Sequence, residues 1–263
     1  MKFRSKLVLA ASALLATTPA VASAETVKNI VLVHGAWADG SGWKPVFDIL
    51  TRKGYHVTIV QEPLTDFHAD VAATTRILAA QDGPTILVAH SYGGSVITVA
   101  GMDSHVVGLV YVAAHAPDVG ENEAAMGAKT PSALKNSPAA TQKTADGFTY
   151  LTRSMFPAFF AADLPREQAV FEAQSQVLTA ASVFTTPMTA AAWRSKPSWG
   201  IIAGSDKIIS PELEAFYYRR ANSHTSTLVG ASHSVYESRP NEVAAVIEAA
   251  AKGASGKTND ARP

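Results

Sequence analysis

Short, uninterrupted apolar runs alternate along this chain with stretches whose apolar residues recur every three or four positions. Residues 29–33 (NIVLV), 56–60, 85–89, 106–113, 197–203 and 225–229 read as strands. Residues 43–52 place Trp43, Val46, Phe47 and Leu50 on one side of a helix, with Gly54 as its stop. Asp66 is positioned to cap a helix carrying Val71, Thr74, Thr75 and Leu78, which ends near Asp82-Gly83-Pro84. Residues 94–100, 212–220 and 240–251 supply further helices. The strands read as apolar throughout instead of alternating, as expected of strands covered by helices on both faces. The pattern predicts an α/β fold: an open, mostly parallel central sheet with helices on both faces.

One region breaks this rhythm. Roughly 80 residues, about 118–196, show no convincing strand. They hold a polar stretch (KTPSALKNSPAATQKTADG), a Phe-rich turn around Tyr150 and Met155, and two helical patterns. A structureless loop of that length is improbable in a compact domain, so a helical insertion is predicted. It leaves the sheet at the carboxyl end of a strand, where open α/β sheets bind ligands, and so reads as a cap over a site.

The two ends read differently from the middle. Lys2, Arg4 and Lys6 precede an apolar run over 7–16, and an A-x-A site follows at Ala22-Ser23-Ala24. That is the layout of a secretory signal peptide over residues 1–24, followed by one domain over 25–263 and a periplasmic or secreted location. The polar tail at 253–263 is expected to be disordered. Cleavage after Ala24 would remove three of the 22 basic residues and none of the 22 acidic ones, for a net charge near −3. Such a balance offers no electrostatic attraction to nucleic acid or anionic membrane, and no later segment is apolar for long enough to anchor in a bilayer. Cysteine is absent, which removes disulfides and thiolate metal sites.

Candidate chemistry centres on TILVAHSYGGSVITVAG, residues 85–101. Ser91 follows a strand directly and precedes a helix, with Ala89 and Gly93 two positions to either side and Gly94 behind. A sharp strand-to-helix turn crowds those flanking positions, admits only small residues there and lifts the serine hydroxyl out of the sheet edge. Ala89 stands where G-x-S-x-G has its first glycine, which loosens the motif but keeps its steric logic. Two further loops at the same edge carry Asp206, in AGSDKIISP, and His233, in GASHSVYESRP. The chain order Ser, acid, His is that of a serine nucleophile on such a sheet. His233 would then act as base and Asp206 would fix its tautomer, with Asp118 as a rival acid. Backbone N–H groups of Tyr92 and Ala36 are the candidate oxyanion donors, Gly35 permitting their close approach. His34, at a strand end, reads as a brace for that loop.

The segments VLVHGAW, VAHSYGG, GSDKIISP and GASHSVYESRP together resemble the α/β-hydrolase superfamily, from about residue 28 to 251. The short N-terminus opening on the H-G-x-W strand is similar to the branch of small esterases related to plant methylesterases and hydroxynitrile lyases. Some bacterial lactone, pyrethroid-ester and peroxidase-like members look similar too. The resemblance implies a serine carboxylic-ester hydrolase working through an acyl-enzyme on small to medium lipophilic esters. A lactonase or a cofactor-free perhydrolase remains an alternative. Gly35 and Ser234 stand where hydroxynitrile lyases usually carry threonine and lysine, which disfavours the lyase. A non-catalytic binding protein would have no use for the preserved triad.

No cofactor or metal is expected: the glycines at 93 and 94 lack dinucleotide spacing and the histidines lack ligand spacing. The expected partner is a small-molecule ester or lactone. Trp37, Phe156, Phe159, Phe160, Met188 and Trp193 are the candidate pocket residues, with Trp43 and Tyr92 as further apolar groups near the mouth.

Overall fold

The computed structural model describes residues 27–255. The leader expected over 1–24 and positions 256–263 of the expected tail lie outside the described residues. The central sheet is built from β1 (Asn29–Val33), β2 (His56–Ile59), β3 (Thr85–Ser91) and β4 (Val106–Ala114). Between them run α1 (Lys44–Arg52), α2 (Phe67–Leu78) and α3 (Gly93–Ala100). An insertion follows, containing α4 (Glu123–Lys129), β5 (Thr141–Lys143), β6 (Phe148–Leu151), α5 (Phe156–Phe159), α6 (Arg166–Ser175) and β7 (Thr179–Ala180). The chain then returns through β8 (Ser198–Ala203), α7 (Pro211–Arg220), β9 (His224–Leu228), α8 (Val235–Ser238) and α9 (Pro240–Ser255). The sheet order is β2-β1-β3-β4-β8-β9, and every pairing in it is parallel.

The central strands form where the sequence predicts them, because each can bury both faces. In β1, Ile30 and Leu32 point into one core with Trp43, Leu50 and Tyr236, while Val31 and Val33 point into the other with Leu78, Ile97 and Tyr217. Gly54 closes α1 at φ +81°, the left-handed region, and the Asp66 side chain caps α2 by accepting from the His68 and Ala69 amides.

Three expectations are corrected here. The strands are not all apolar: β9 reads HTSTL and exposes most of its length, because an edge strand has a neighbour on one side only. The insertion does contain strands, β5, β6 and β7, which pair antiparallel in a small separate sheet. They span only two to four residues, too few to show an alternating pattern, and β7 comes from beyond two helices. At the C-terminus, α9 continues through Ser255, so the first three residues of the expected tail are helical.

The insertion is held by a third apolar cluster. Phe156, Phe160 and Met188 pack there against Trp37, Tyr92 and Val96, so the cap sits directly over the carboxyl end of β3.

Candidate active site

Ser91 is the last residue of β3, and its φ of +55° lies in the left-handed region. A non-glycine residue holds that conformation only when its surroundings dictate it. The turn is crowded on both sides. A Cβ on Gly93 would lie 2.4 Å from the His34 carbonyl oxygen, and one on Gly35 would lie 2.7 Å from the Ser91 Cβ. Gly93→Ala is therefore expected to cost about 1–3 kcal/mol of stability and to displace the loop after β1. A urea titration with kcat measured alongside checks this; unchanged values in both would contradict it.

His233 and Asp206 converge on the serine. The Ser91 hydroxyl donates to His233 Nε2 at 2.8 Å, and His233 Nδ1–H donates to Asp206 Oδ2 at 2.6 Å. Asp206 Oδ1 accepts from the Ile208 and Ile209 amides at 2.7 and 3.1 Å, which fixes the carboxylate's orientation. All three residues are buried. Asp118 is elsewhere: it pairs with Arg194 at 2.7 Å and accepts from the Val119 amide.

The surroundings hold the imidazole in place. His90 donates through Nε2 to the His233 carbonyl at 2.9 Å, and its ring lies 4.5 Å from the His233 ring. Burial, and then the neighbouring His233, push the His90 pKa well below the usual histidine value, so it stays neutral. Phe160 meets the His233 ring edge-on at 4.8 Å, and its carbonyl accepts from the Ser234 amide at 3.0 Å. Asp163 accepts from the Ser232 amide and hydroxyl and from the Ser238 hydroxyl. The cap thus braces the loop that carries the histidine.

The loop after β1 completes the edge. His34 donates from Nδ1 to the Gly35 carbonyl and accepts from the Glu62 amide at Nε2, both at 2.9 Å, so it braces the loop as expected. Trp37 follows at φ +62°, its amide held by Thr179 Oγ1. Ala36 and Tyr92 line the same cavity as Ser91. Among the described residues, no acceptor takes either of their amides. Buried N–H groups without acceptors are uncommon, and two beside one serine suit an incoming oxyanion.

Over residues 30–246 the sequence matches the Alpha/beta hydrolase family. The chain belongs to this family. Its fold is similar to that of a pyrethroid hydrolase from Sphingobium faniae JZ-2, with a TM-score of 0.71 and 21% identity over 86% of this chain and 98% of that one. Polyneuridine aldehyde esterase gives a TM-score of 0.72 at 16% identity over 83% and 97% of the two chains. A methylesterase from Arabidopsis gives 0.70 at 16% over 84% and 97%. At these identities the likeness is one of fold. No curated protein matches the chain.

In this α/β-hydrolase, Ser91 opens into a cavity of about 440 Å³. Of the six residues expected to line it, only Trp37 does. Phe156 and Phe160 line a second cavity of about 250 Å³, which also touches Trp37. Met188 and Trp193 are buried in the cores, Trp193 donating to the Pro117 carbonyl, and Phe159 lines neither cavity. An insertion this small needs most of its large side chains to pack itself. The apolar wall of the Ser91 cavity comes instead from Leu134, Phe184, Ile208, Ile209 and Leu213.

Two buried ionisable residues of that cavity were not anticipated. His115 stands just past β4, so the rule that located Asp206 and His233 in loops after strands also points to it. Glu123, the first residue of α4, carries no such signal, since an acid in a first turn normally faces water. Here burial pushes its carboxyl up to about 8, and burial, then His233, pushes His115 down to about 3. Glu123 thus stays protonated in the folded state up to about pH 8, whereas the unfolded chain loses that proton near 4.5. Its contribution to stability is complete below pH 4.5 and is lost as pH rises towards 8. Glu123→Gln, which has no proton to lose, should gain stability relative to the native chain across that window and none beyond it. Denaturation midpoints at several pH values test this; a pH-independent difference would contradict it.

Proposed function

We propose that this chain is a serine carboxylic-ester hydrolase that acts on small to medium lipophilic esters through an acyl-enzyme. The observation that carries this reading is the continuous hydrogen-bond relay from Ser91 through His233 to Asp206, at 2.8 and 2.6 Å. As Ser91 Oγ attacks the ester carbonyl, its proton passes to His233 Nε2, and Asp206 stabilises the imidazolium. The Ala36 and Tyr92 amides hold the oxyanion of the tetrahedral intermediate. Collapse expels the alkoxide, which takes the proton from His233. Water then repeats the sequence on the acyl-enzyme, His233 removing its proton, and the acid departs with Ser91 restored.

The cavity volume falls within the range of about 300–1,000 Å³ common for small-molecule sites. Its wall of Leu134, Phe184, Ile208 and Leu213 favours a lipophilic substrate. The pyrethroid hydrolase, polyneuridine aldehyde esterase and methylesterase that share the fold favour an ester over a peptide. The leader-like pattern of residues 1–24 supports export, which the N-terminal mass of protein recovered outside the cytoplasm would check.

A 4-nitrophenyl ester series from acetate to dodecanoate tests the function. The expected profile peaks at short or middle acyl chains. No turnover of any ester, or a steady rise up to dodecanoate, would contradict it.

A further inference from the structure

The Ser91 cavity is apolar on one wall only. On another stand His115 and Glu123, which the proposed relay leaves unused. His115 is tied to the nucleophile through the sheet: Ser91 pairs with Ala114, and the His115 amide donates to the Ser91 carbonyl at 3.2 Å. Glu123 approaches from α4. The Ser95 hydroxyl donates to its Oε1 at 2.5 Å, and the Tyr217 hydroxyl lies 3.3 Å from His115 Nδ1. Both side chains are therefore held from behind and almost fully enclosed, at 9% and 6% exposure.

Between them the fit is loose. His115 Nε2 and Glu123 Oε2 are 3.4 Å apart, longer than a well-formed hydrogen bond. A buried polar pair that satisfies itself so poorly beside an open cavity has capacity left for a third group. Burial keeps both neutral near pH 7, the carboxyl as a donor and acceptor and the imidazole nitrogen as an acceptor. A hydroxyl meets both at once, because it donates and accepts through one atom. A purely hydrocarbon substrate leaves both unmet, and a substrate carboxylate, which has no proton to give, leaves the His115 nitrogen unmet.

We propose that the Ser91 cavity selects esters bearing a hydroxyl group within a few bonds of the scissile carbonyl, with Glu123 and His115 as the residues that read it. This rests on the serine-esterase reading and narrows its substrate class. The hydroxyl belongs to either the acyl part or the alcohol part, and the two sources separate by experiment.

The test compares kcat/KM for matched pairs on the full chain. Ethyl 3-hydroxybutyrate against ethyl butyrate probes the acyl side, and 2-hydroxyethyl butyrate against ethyl butyrate probes the alcohol side. At least one hydroxylated ester is expected to exceed its match by about tenfold or more, since a site built to hydrogen-bond a group discriminates against its absence. Glu123→Leu should bring that ratio close to one, while Glu123→Gln, which keeps a donor and an acceptor, should retain most of it. His115→Leu provides the same reading should Glu123→Leu fail to fold. Ratios near one on both arms, or a ratio that survives Glu123→Leu and His115→Leu, would overturn the inference and leave the esterase reading standing. No Ser91-dependent turnover of any of these esters would overturn both.

Discussion

Ser91→Ala is expected to lower kcat on a chromogenic ester by about 10⁶-fold, the scale seen when a serine nucleophile is removed from an intact triad. The Ser91 hydroxyl makes one side-chain hydrogen bond, to His233, so its loss leaves the rest of the turn in place. The positive φ at residue 91 and the close approach of Gly93 to the His34 carbonyl are backbone features that alanine retains. The oxyanion donors also survive, since both are amides of other residues. Residual hydrolysis above the rate in water is therefore expected, by about 10³–10⁴-fold. Steady-state kinetics beside a circular-dichroism spectrum and a melting curve make the measurement. A kcat within tenfold of the unmodified chain, in a folded variant, would contradict the assignment.

Asp206→Asn is expected to lower kcat by about 10⁴-fold without removing any part of the relay. Oδ1 of Asp206 accepts two backbone amides, from Ile208 and Ile209. In asparagine the carbonyl oxygen takes that place, and the NH₂ group must face His233. The imidazole Nδ1 then has to accept, Nε2 carries the proton, and no lone pair faces Ser91. The matching control is Asp118→Asn. That carboxylate pairs with Arg194 near the surface, so its removal should change kcat by no more than about twofold. A reversal of the two effects would transfer the acid's role to Asp118.

The central strands and the relay were legible in the sequence for related physical reasons. A strand buried on both faces must be apolar along its length, as in NIVLV and TILVA, and the residue that follows such a run stands at the sheet's carboxyl edge. Ser91 and Asp206 were located in that way, His233 by its place in the loop after the last strand, and His115 is open to the first logic. Where a segment has solvent on one side or is very short, this signal fails. The edge strand β9 was read as apolar with the others, whereas its HTSTL run is polar and exposed, and the strands of the insertion are too short to alternate.

The cavity wall was the least legible part. Phe156 and Phe160 have the composition of pocket residues, but whether an aromatic ring faces a cavity or a core depends on how the insertion folds back. Phe160 instead supports the His233 imidazole from the side, and its neighbour Asp163 anchors the loop carrying it. Glu123 shows the converse. As a sequence position it is an ordinary first-turn acid behind the capping residue Asn122, and only the packing of α4 against Ser95 and His115 buries it.

The most direct measurement is covalent labelling with a fluorophosphonate, followed by peptide mass mapping. The hydroxyl polarised by His233 should take up the label at a single site, in the peptide containing Ser91, with concurrent loss of ester turnover. A chain that hydrolyses esters yet shows no adduct, or carries it on another residue, would contradict Ser91 as the nucleophile.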